Sequence, residues 1–329
     1  MEYRILGRTG LKVSVLGIGS WQLSGALTID GLPDGFPDCG RQKAIAIIQG
    51  CGDLGINLID TAEIYGDGEG ESRIGAAISG DRDRWIISSK FGLRTNSRQQ
   101  RIINARPETI RSSLEGSLRR LKTDYLDIYL YHVPPKPEWI EAGTEVLKAL
   151  KAEGKIRFYG ISSDDPQDLK LLLKHQAVDV VNCAQSLLVR PQEILDLVEE
   201  HNLGMISRGA LAGGQLSGKY FRRSPEISPQ DYRYQRSINW GKYQKYEELI
   251  PEAGTMVGLS LRYLLDLPHT QTILLGGKSL QDFQAATIAL KMQPLTPQTR
   301  SRIDRLRTQE NLLLPIKKAW RPLKKLIFK

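Results

Sequence analysis

The sequence predicts an α/β chain closed into a (β/α)8 TIM barrel, with a β-hairpin ahead of the barrel and an extra helical, basic tail behind it. Two observations carry this expectation. Short, β-branched apolar runs alternate without a break with longer amphipathic segments, and each kind occurs eight times. Alternation argues for parallel strands joined by crossover helices. A count of eight selects the closed barrel over an open sheet.

Taken in order, Tyr3–Leu6 and Leu11–Val13 flank a Gly7–Gly10 turn and read as the hairpin. The apolar runs are Val13–Gly19, Asn57–Thr61, Trp85–Lys90, Leu126–His132, Phe158–Ser162, Val178–Cys183, Gly204–Ser207 and Thr270–Gly276. They are short and nearly continuous, the pattern of strands buried on both faces. The segments between them carry helical spacing. In Pro107–Lys122, Ile110, Leu114, Leu118 and Leu121 recur at intervals of three and four. Pro107 suits a first helical turn, and Gly154 suits the C-cap of the helix that begins near Glu138. The remaining helices fall at Arg41–Leu54, Glu71–Ser79, Pro166–His175, Gln192–His201, Glu252–Leu267 and Leu280–Leu290. Two connections are long: Leu23–Gly40, rich in Gly, Asp and Pro, and Tyr220–Ile250, polar and aromatic with no strong period. Long connections of this kind are usually functional. Nothing resembles an interdomain linker, so residues 1–314 form one barrel domain and residues 315–329 a basic tail.

Composition agrees. The chain has 329 residues, 40% hydrophobic and 25% charged, with a mean hydropathy of −0.31. These are values of a globular protein able to bury its own core. Cys39, Cys51 and Cys183 are far apart and outside any CxxC pair, so neither a disulfide framework nor a thiolate metal site is indicated. The four histidines are scattered, without metal-ligand spacing. With no signal-peptide pattern at Met1–Gly10 and no apolar run long enough to span a bilayer, the expected location is the reducing cytoplasm. The net charge is +9, but Lys317, Lys318, Arg321, Lys324, Lys325 and Lys329 carry six positive charges in the tail. Removing those six from +9 leaves +3 for the barrel, which shows no nucleic-acid signature.

A TIM barrel keeps its chemistry at the carboxyl ends of its strands. Here the second run leads into NLIDTAEIYG, with Asp60 and Tyr65; the third ends in SSKFG, with Lys90; the fourth ends in YHVPP, with His132. Burying an unpaired charge is costly, so three neighbouring strands ending this way point to one mutually compensated site. A tyrosine beside an ammonium is expected to have its pKa lowered, and a carboxylate would hold that ammonium in place. Asp60, Lys90 and Tyr65 thus form a proton-donating relay, and His132 can donate a hydrogen bond to the same acceptor oxygen. A proton donor with no nucleophile, metal ligands or phosphate cradle beside it suits carbonyl reduction by an external hydride source.

These residues and their surroundings resemble the aldo-keto reductases. The resemblance runs from LGRTGLKVSVLGIGSW at Leu6–Trp21, through EGKIRFYGIS and GALAGGQLSGKY, to TILLGGKSL at Thr272–Leu280. The family's catalytic tetrad falls on Asp60, Tyr65, Lys90 and His132. The resemblance implies reduction of an aldehyde or ketone by a nicotinamide cofactor, NADP(H) in preference to NAD(H), lying extended across the barrel mouth without a Rossmann fold. The cofactor positions it implies are Gly19, Ser20, Trp21, Asp60, Ser162, Ser163, Asn182, Gln185, Arg208, Gly209, Leu211, Gly213, Lys219, Gly276, Lys278, Ser279 and Asp282. Several depart from the family pattern. Ser162–Ser163 stands for the Ser-Asn pair that holds the carboxamide, Asn182 for its Gln, Gln185 for the Tyr that stacks on the nicotinamide, and Ala285–Ala286 for a Glu-Asn near the adenine. Lys278 is left to meet a 2′-phosphate as a point charge.

The altered nicotinamide contacts give the alternative reading, an NADP(H)-binding regulatory or redox-sensing subunit on the same fold; the complete tetrad opposes it. The expected partner is a small-molecule carbonyl substrate, without nucleic acid. In the tail, Ile316, Trp320, Leu323, Leu326 and Ile327 interleave with the basic residues, a pattern able to meet an anionic membrane or an acidic partner.

Overall fold

A computed structural model describes residues 1–313; the basic tail, 315–329, lies outside them. Eight parallel strands close into a barrel: β1 (Leu16–Gly19), β2 (Leu58–Asp60), β3 (Ile86–Phe91), β4 (Leu126–Tyr131), β5 (Ile156–Ser162), β6 (Val180–Ala184), β7 (Gly204–Arg208) and β8 (Thr272–Leu275). Each neighbours the next in chain order, and β8 pairs with β1. The crossover helices are α1 (Arg41–Asp53), α2 (Glu69–Ala77), α3 (Pro107–Leu121), α4 (Ile140–Ala152), α5 (Pro166–Lys174), α6 (Gln192–Glu200), α7 (Met256–Leu265) and α8 (Leu280–Ala289). Every predicted strand and helix is present within a few residues of its expected bounds.

The barrel interior is filled from below. Tyr3–Ile5 pairs antiparallel with Lys12–Ser14, and Leu6, Leu11 and Val13 pack into one cluster with Leu58, Ile86, Ile128, Leu130, Val180, Ile206 and Leu274 from six of the strands. The hairpin therefore plugs the amino-terminal end, and polar residues further along the same inward-facing positions emerge at the opposite mouth. Gly160 shows how tightly β5 and β6 close: a Cβ there would lie 1.8 Å from the Val180 carbonyl oxygen. A larger cluster between strands and helices forms the outer core. Fully burying each such Leu or Ile side chain is worth ~1.5–3 kcal/mol.

Four features were not bounded by periodicity. Two small hairpins, Thr28–Ile29 with Leu32–Pro33 and Leu93–Thr95 with Arg101–Ile103, sit in the loops after β1 and β3. The Tyr220–Ile250 connection contains a 3-10 segment, Trp240–Leu249, with Trp240, Tyr243 and Tyr246 buried. Beyond the barrel, α9 (Pro297–Leu313) docks through Ile303 and Leu306. Strands of two or three residues and a helix with few apolar positions leave little periodic signal. Among the described residues, no helix is long and apolar enough to cross a membrane.

Candidate active site

The ends of β2, β3 and β4 bring Asp60, Lys90 and His132 to one side of the mouth, and the turn after β2 adds Tyr65. That turn is tight: Gly66 has φ +60°, and a Cβ on it would lie 2.0 Å from the Ser24 carbonyl oxygen. Asp60 and Lys90 are buried at 3% and 1% exposure, which makes their pairing obligatory. Lys90 Nζ donates to Asp60 Oδ1 and to the Thr61 carbonyl oxygen at 2.8 Å. The other carboxylate oxygen of Asp60 accepts from Ser88 Oγ at 2.9 Å and from Asn182 Nδ2 at 3.2 Å. The Lys90 ammonium lies 5.2 Å from the centre of the Tyr65 ring, and its charge acts on the phenol. The His132 ring meets Tyr65 edge-on, 5.7 Å between centres. Trp21 stacks against Tyr65 at 6.0 Å.

The electrostatics correct one expectation. Tyr65 is raised, not lowered: desolvation outweighs the pull of Lys90, and Asp60 adds to the rise. Its phenol keeps its proton. Burial alone would lower Lys90, but Asp60 and Tyr65 hold it above its ordinary value, so it stays charged. Burial, with Lys90, Arg208 and Arg101 adding positive charge, pushes His132 well below its ordinary value. The imidazole is therefore neutral, and its buried Nδ1 has no partner among the described residues.

The implied cofactor positions separate into those at the mouth and those behind it. Gly19 pairs with Asp60, Ser162 with Asn182 and Ala184 with Arg208. Side chains alternate along a strand, so Ser162, Asn182 and Arg208 share the inward row with Asp60, Lys90 and His132. The charge of Arg208 acts on Tyr65, Lys90 and His132, and its guanidinium pairs with Asp164 at 2.8 Å. Gln185 is not brought to the mouth. It is buried, and its Oε1 accepts from Ser207 Oγ at 2.7 Å and Thr270 Oγ1 at 3.1 Å. Arg208, also expected at the cofactor, ends β7 on the inward row. Ser163 is likewise turned to the start of α5, donating to Asp168 Oδ2 at 2.6 Å.

The loops after β7 and β8 meet. Gly209 and Gly213 have positive φ in the first loop, which runs through Leu211 to Lys219; Lys219 pairs with Asp282 at 3.3 Å. Ser279 caps α8 by accepting from the Asp282 N–H at 3.3 Å. Gly276 leaves space for Gln22, whose side chain a Cβ would meet at 2.2 Å. Lys278 is directed to the long loops, 3.7 Å from Asp231 and 4.8 Å from the Phe36 ring centre. Ser20 follows β1 with its buried hydroxyl unpartnered among the described residues. Sequence reasoning missed Phe36, Tyr232 and Glu63. The first two bracket Trp21 at 5.2 and 4.6 Å, and the Tyr232 N–H donates to the Gly35 carbonyl oxygen at 2.9 Å, which joins the two long loops.

The donor set suits a nicotinamide carboxamide, which needs an acceptor for its NH2 and a donor for its oxygen. Asn182 Oδ1 is buried without a partner among the described residues, and Ser162 stands beside it in register. No group of three or more His, Cys, Asp or Glu able to hold a metal occurs among the described residues. Buried, mutually paired ionisable groups at the carboxyl mouth of a closed (β/α)8 barrel define an enzyme.

Comparison with known proteins gives the family. The model of the aldo/keto reductase family matches residues 15–308, and the chain belongs to that family of NAD(P)H-dependent oxidoreductases. It superposes on the holo form of aldo-keto reductase AKR11C1 from Bacillus halodurans with a TM-score of 0.79 and 31% identity, over 93% of this chain and 96% of that one. An aldo/keto reductase from Klebsiella pneumoniae in complex with NADP and acetate gives a TM-score of 0.70 and 25% identity, over 93% and 95%. The NADH-specific methylglyoxal reductase of Escherichia coli is 28% identical over 317 residues, 87% of this chain and 93% of that protein.

Proposed function

We propose that the protein reduces an aldehyde or ketone to an alcohol, with Tyr65 giving the proton to the carbonyl oxygen. The observation that carries this reading is the buried Lys90 ammonium, paired to Asp60 and 5.2 Å from the centre of the Tyr65 ring. When bound, the nicotinamide supplies the hydride. Tyr65 holds the proton until negative charge develops on the substrate oxygen. Lys90 then stabilises the phenolate that remains, and Asp60 keeps the ammonium aimed at it. Neutral His132 is suited to donate a hydrogen bond to the same oxygen without competing for the proton. Ser162 and Asn182 would hold the carboxamide, and Lys219 and Lys278 supply positive charge for the phosphates. Lys278 favours NADP(H) over NAD(H), since a 2′-phosphate can replace Asp231 as its partner.

The test is turnover of an aldehyde panel by wild type and Tyr65→Phe, with NADPH binding followed by fluorescence. Turnover should fall roughly 10²–10⁴-fold, the range for a positioned acid, with affinity for NADPH nearly unchanged. Equal turnover in the variant would refute the assignment. NADPH binding by the wild type with no turnover of any carbonyl would favour the redox-sensing subunit.

A further inference from the structure

The chain that carries Tyr65 leaves the barrel one rung at a time. Past the end of β2, the Thr61 N–H donates to the Ser88 carbonyl oxygen at 2.8 Å and the Glu63 N–H to that of Lys90 at 3.2 Å. At the next rung the backbone has turned towards Tyr65, and a side chain takes its place: Glu63 Oε1 accepts the Gly92 N–H at 2.9 Å. The other half of that same peptide group, the Phe91 carbonyl, accepts the His132 N–H at 2.8 Å. One peptide plane therefore joins the Glu63 carboxylate to the backbone of His132, while Glu63 lies two residues before Tyr65.

We infer that Glu63 is a positioning residue, whose carboxylate fixes Tyr65 and His132 relative to one another through the Phe91–Gly92 peptide and whose charge state sets how firmly. This rests on the proposed role of Tyr65. Ionised, Glu63 makes a charge-assisted bond to Gly92, and hydrogen bonds in series polarise one another, so the hold of Phe91 on His132 tightens with it. Protonated, it is a weaker acceptor and both bonds slacken.

The surroundings let the switch fall near neutrality. Glu63 is only 5% exposed, and burial pushes it up to about 7, with the like charge of Glu71 on α2 adding to the rise. Arg94 on the hairpin after β3, the Gly92 N–H and Ser113 on α3 oppose it. Glu71 is already engaged by Arg120 of α3 at 2.7 Å and Ser89 of β3 at 2.6 Å. Tyr129 of β4 faces both carboxylates, and its buried hydroxyl has no partner among the described residues.

The experiment is kcat against pH for the wild type, Glu63→Gln and Tyr65→Phe, with the Gly92 amide followed by NMR in the 15N-labelled wild type. The wild type should lose turnover on the acid side with a midpoint near about 7. Glu63→Gln keeps an oxygen facing Gly92 but cannot titrate, so it should lose that limb and turn over about tenfold more slowly at alkaline pH, as for one weakened charge-assisted bond. The Gly92 amide shift should follow the same midpoint. An acid limb that survives in Glu63→Gln, or a Gly92 shift that does not titrate, overturns the inference whether or not the variant folds. Full turnover by Tyr65→Phe would instead overturn the reading of Tyr65 on which it rests.

Discussion

The ammonium of Lys90 lies 5.2 Å from the centre of the Tyr65 ring while its own bonds go to Asp60 and the Thr61 carbonyl. The cation is thus anchored on one side and faces the phenol on the other. Replacing it separates two effects. Lys90→Met leaves Asp60 buried and uncompensated, and breaking a buried pair from one side costs about 3–5 kcal/mol. Adding Asp60→Asn should return much of that stability in chemical denaturation but none of the turnover, because the phenolate remains unsupported. Recovery of turnover in the double variant would show that Lys90 serves only to neutralise Asp60.

Proton affinity at Tyr65 sets the alkaline side of the pH profile. Desolvation holds the phenol above its ordinary pKa, so on the alkaline side reduction by the wild type should fall only at pH above the ordinary tyrosine value. His132 is held neutral, so it contributes no limb near its ordinary pKa. A turnover limb near pH 6.5 that vanishes in His132→Gln would contradict the neutral imidazole.

The tetrad was legible because each member ends or follows an apolar strand, where a polar residue has no packing reason to be. The cofactor contacts were less so. Beyond a strand's last rung, a shift of one residue exchanges the mouth for the space behind the barrel, and sequence alone does not fix that register for Ser163 and Gln185. Glu63 was hidden differently: it stands between Ala62 and Ile64 as an ordinary loop acid, and only the structure shows it completing a rung of the sheet. The short hairpins and the Trp240–Leu249 segment lack the length that makes periodicity visible.

Gln185 and Arg208 make that distinction measurable. Gln185→Leu leaves the Ser207 and Thr270 hydroxyls without their shared acceptor, a loss of about 1–3 kcal/mol in stability, with NADPH affinity nearly unchanged. Arg208→Leu should do the reverse, weakening NADPH binding by fluorescence titration with little change in Tm. If Gln185→Leu weakened NADPH binding while Arg208→Leu did not, Gln185 would regain the role expected from sequence.

Glu63 also makes stability depend on pH with a definite sign. Its folded pKa of about 7 lies above the ordinary 4.5, so between those values the folded state binds more protons than the unfolded one. Stability from this group is full below about 4.5 and is lost as pH rises to about 7, by roughly 3 kcal/mol. The difference in unfolding free energy between wild type and Glu63→Gln, measured in urea at several pH values, should shrink or reverse along that interval in the sense of a weakening wild type. A difference independent of pH would mean that Glu63 does not titrate there.

The last prediction concerns Tyr232, whose ring lies 4.6 Å from that of Trp21 and 5.2 Å from that of Phe36. These contacts fasten the Tyr220–Ile250 connection onto the loop after β1, and Trp21 in turn stacks on Tyr65. Tyr232→Ala removes two aromatic pairs worth about 0.5–1.5 kcal/mol each while leaving every member of the tetrad and its hydrogen bonds in place. The loss should therefore fall on binding: KM for the carbonyl substrate rises about tenfold and kcat changes little, the pattern of an interaction made equally in ground and transition states. A fall in kcat at unchanged KM would mean that the aromatic contact helps to hold Tyr65 during proton transfer rather than to wall the substrate site.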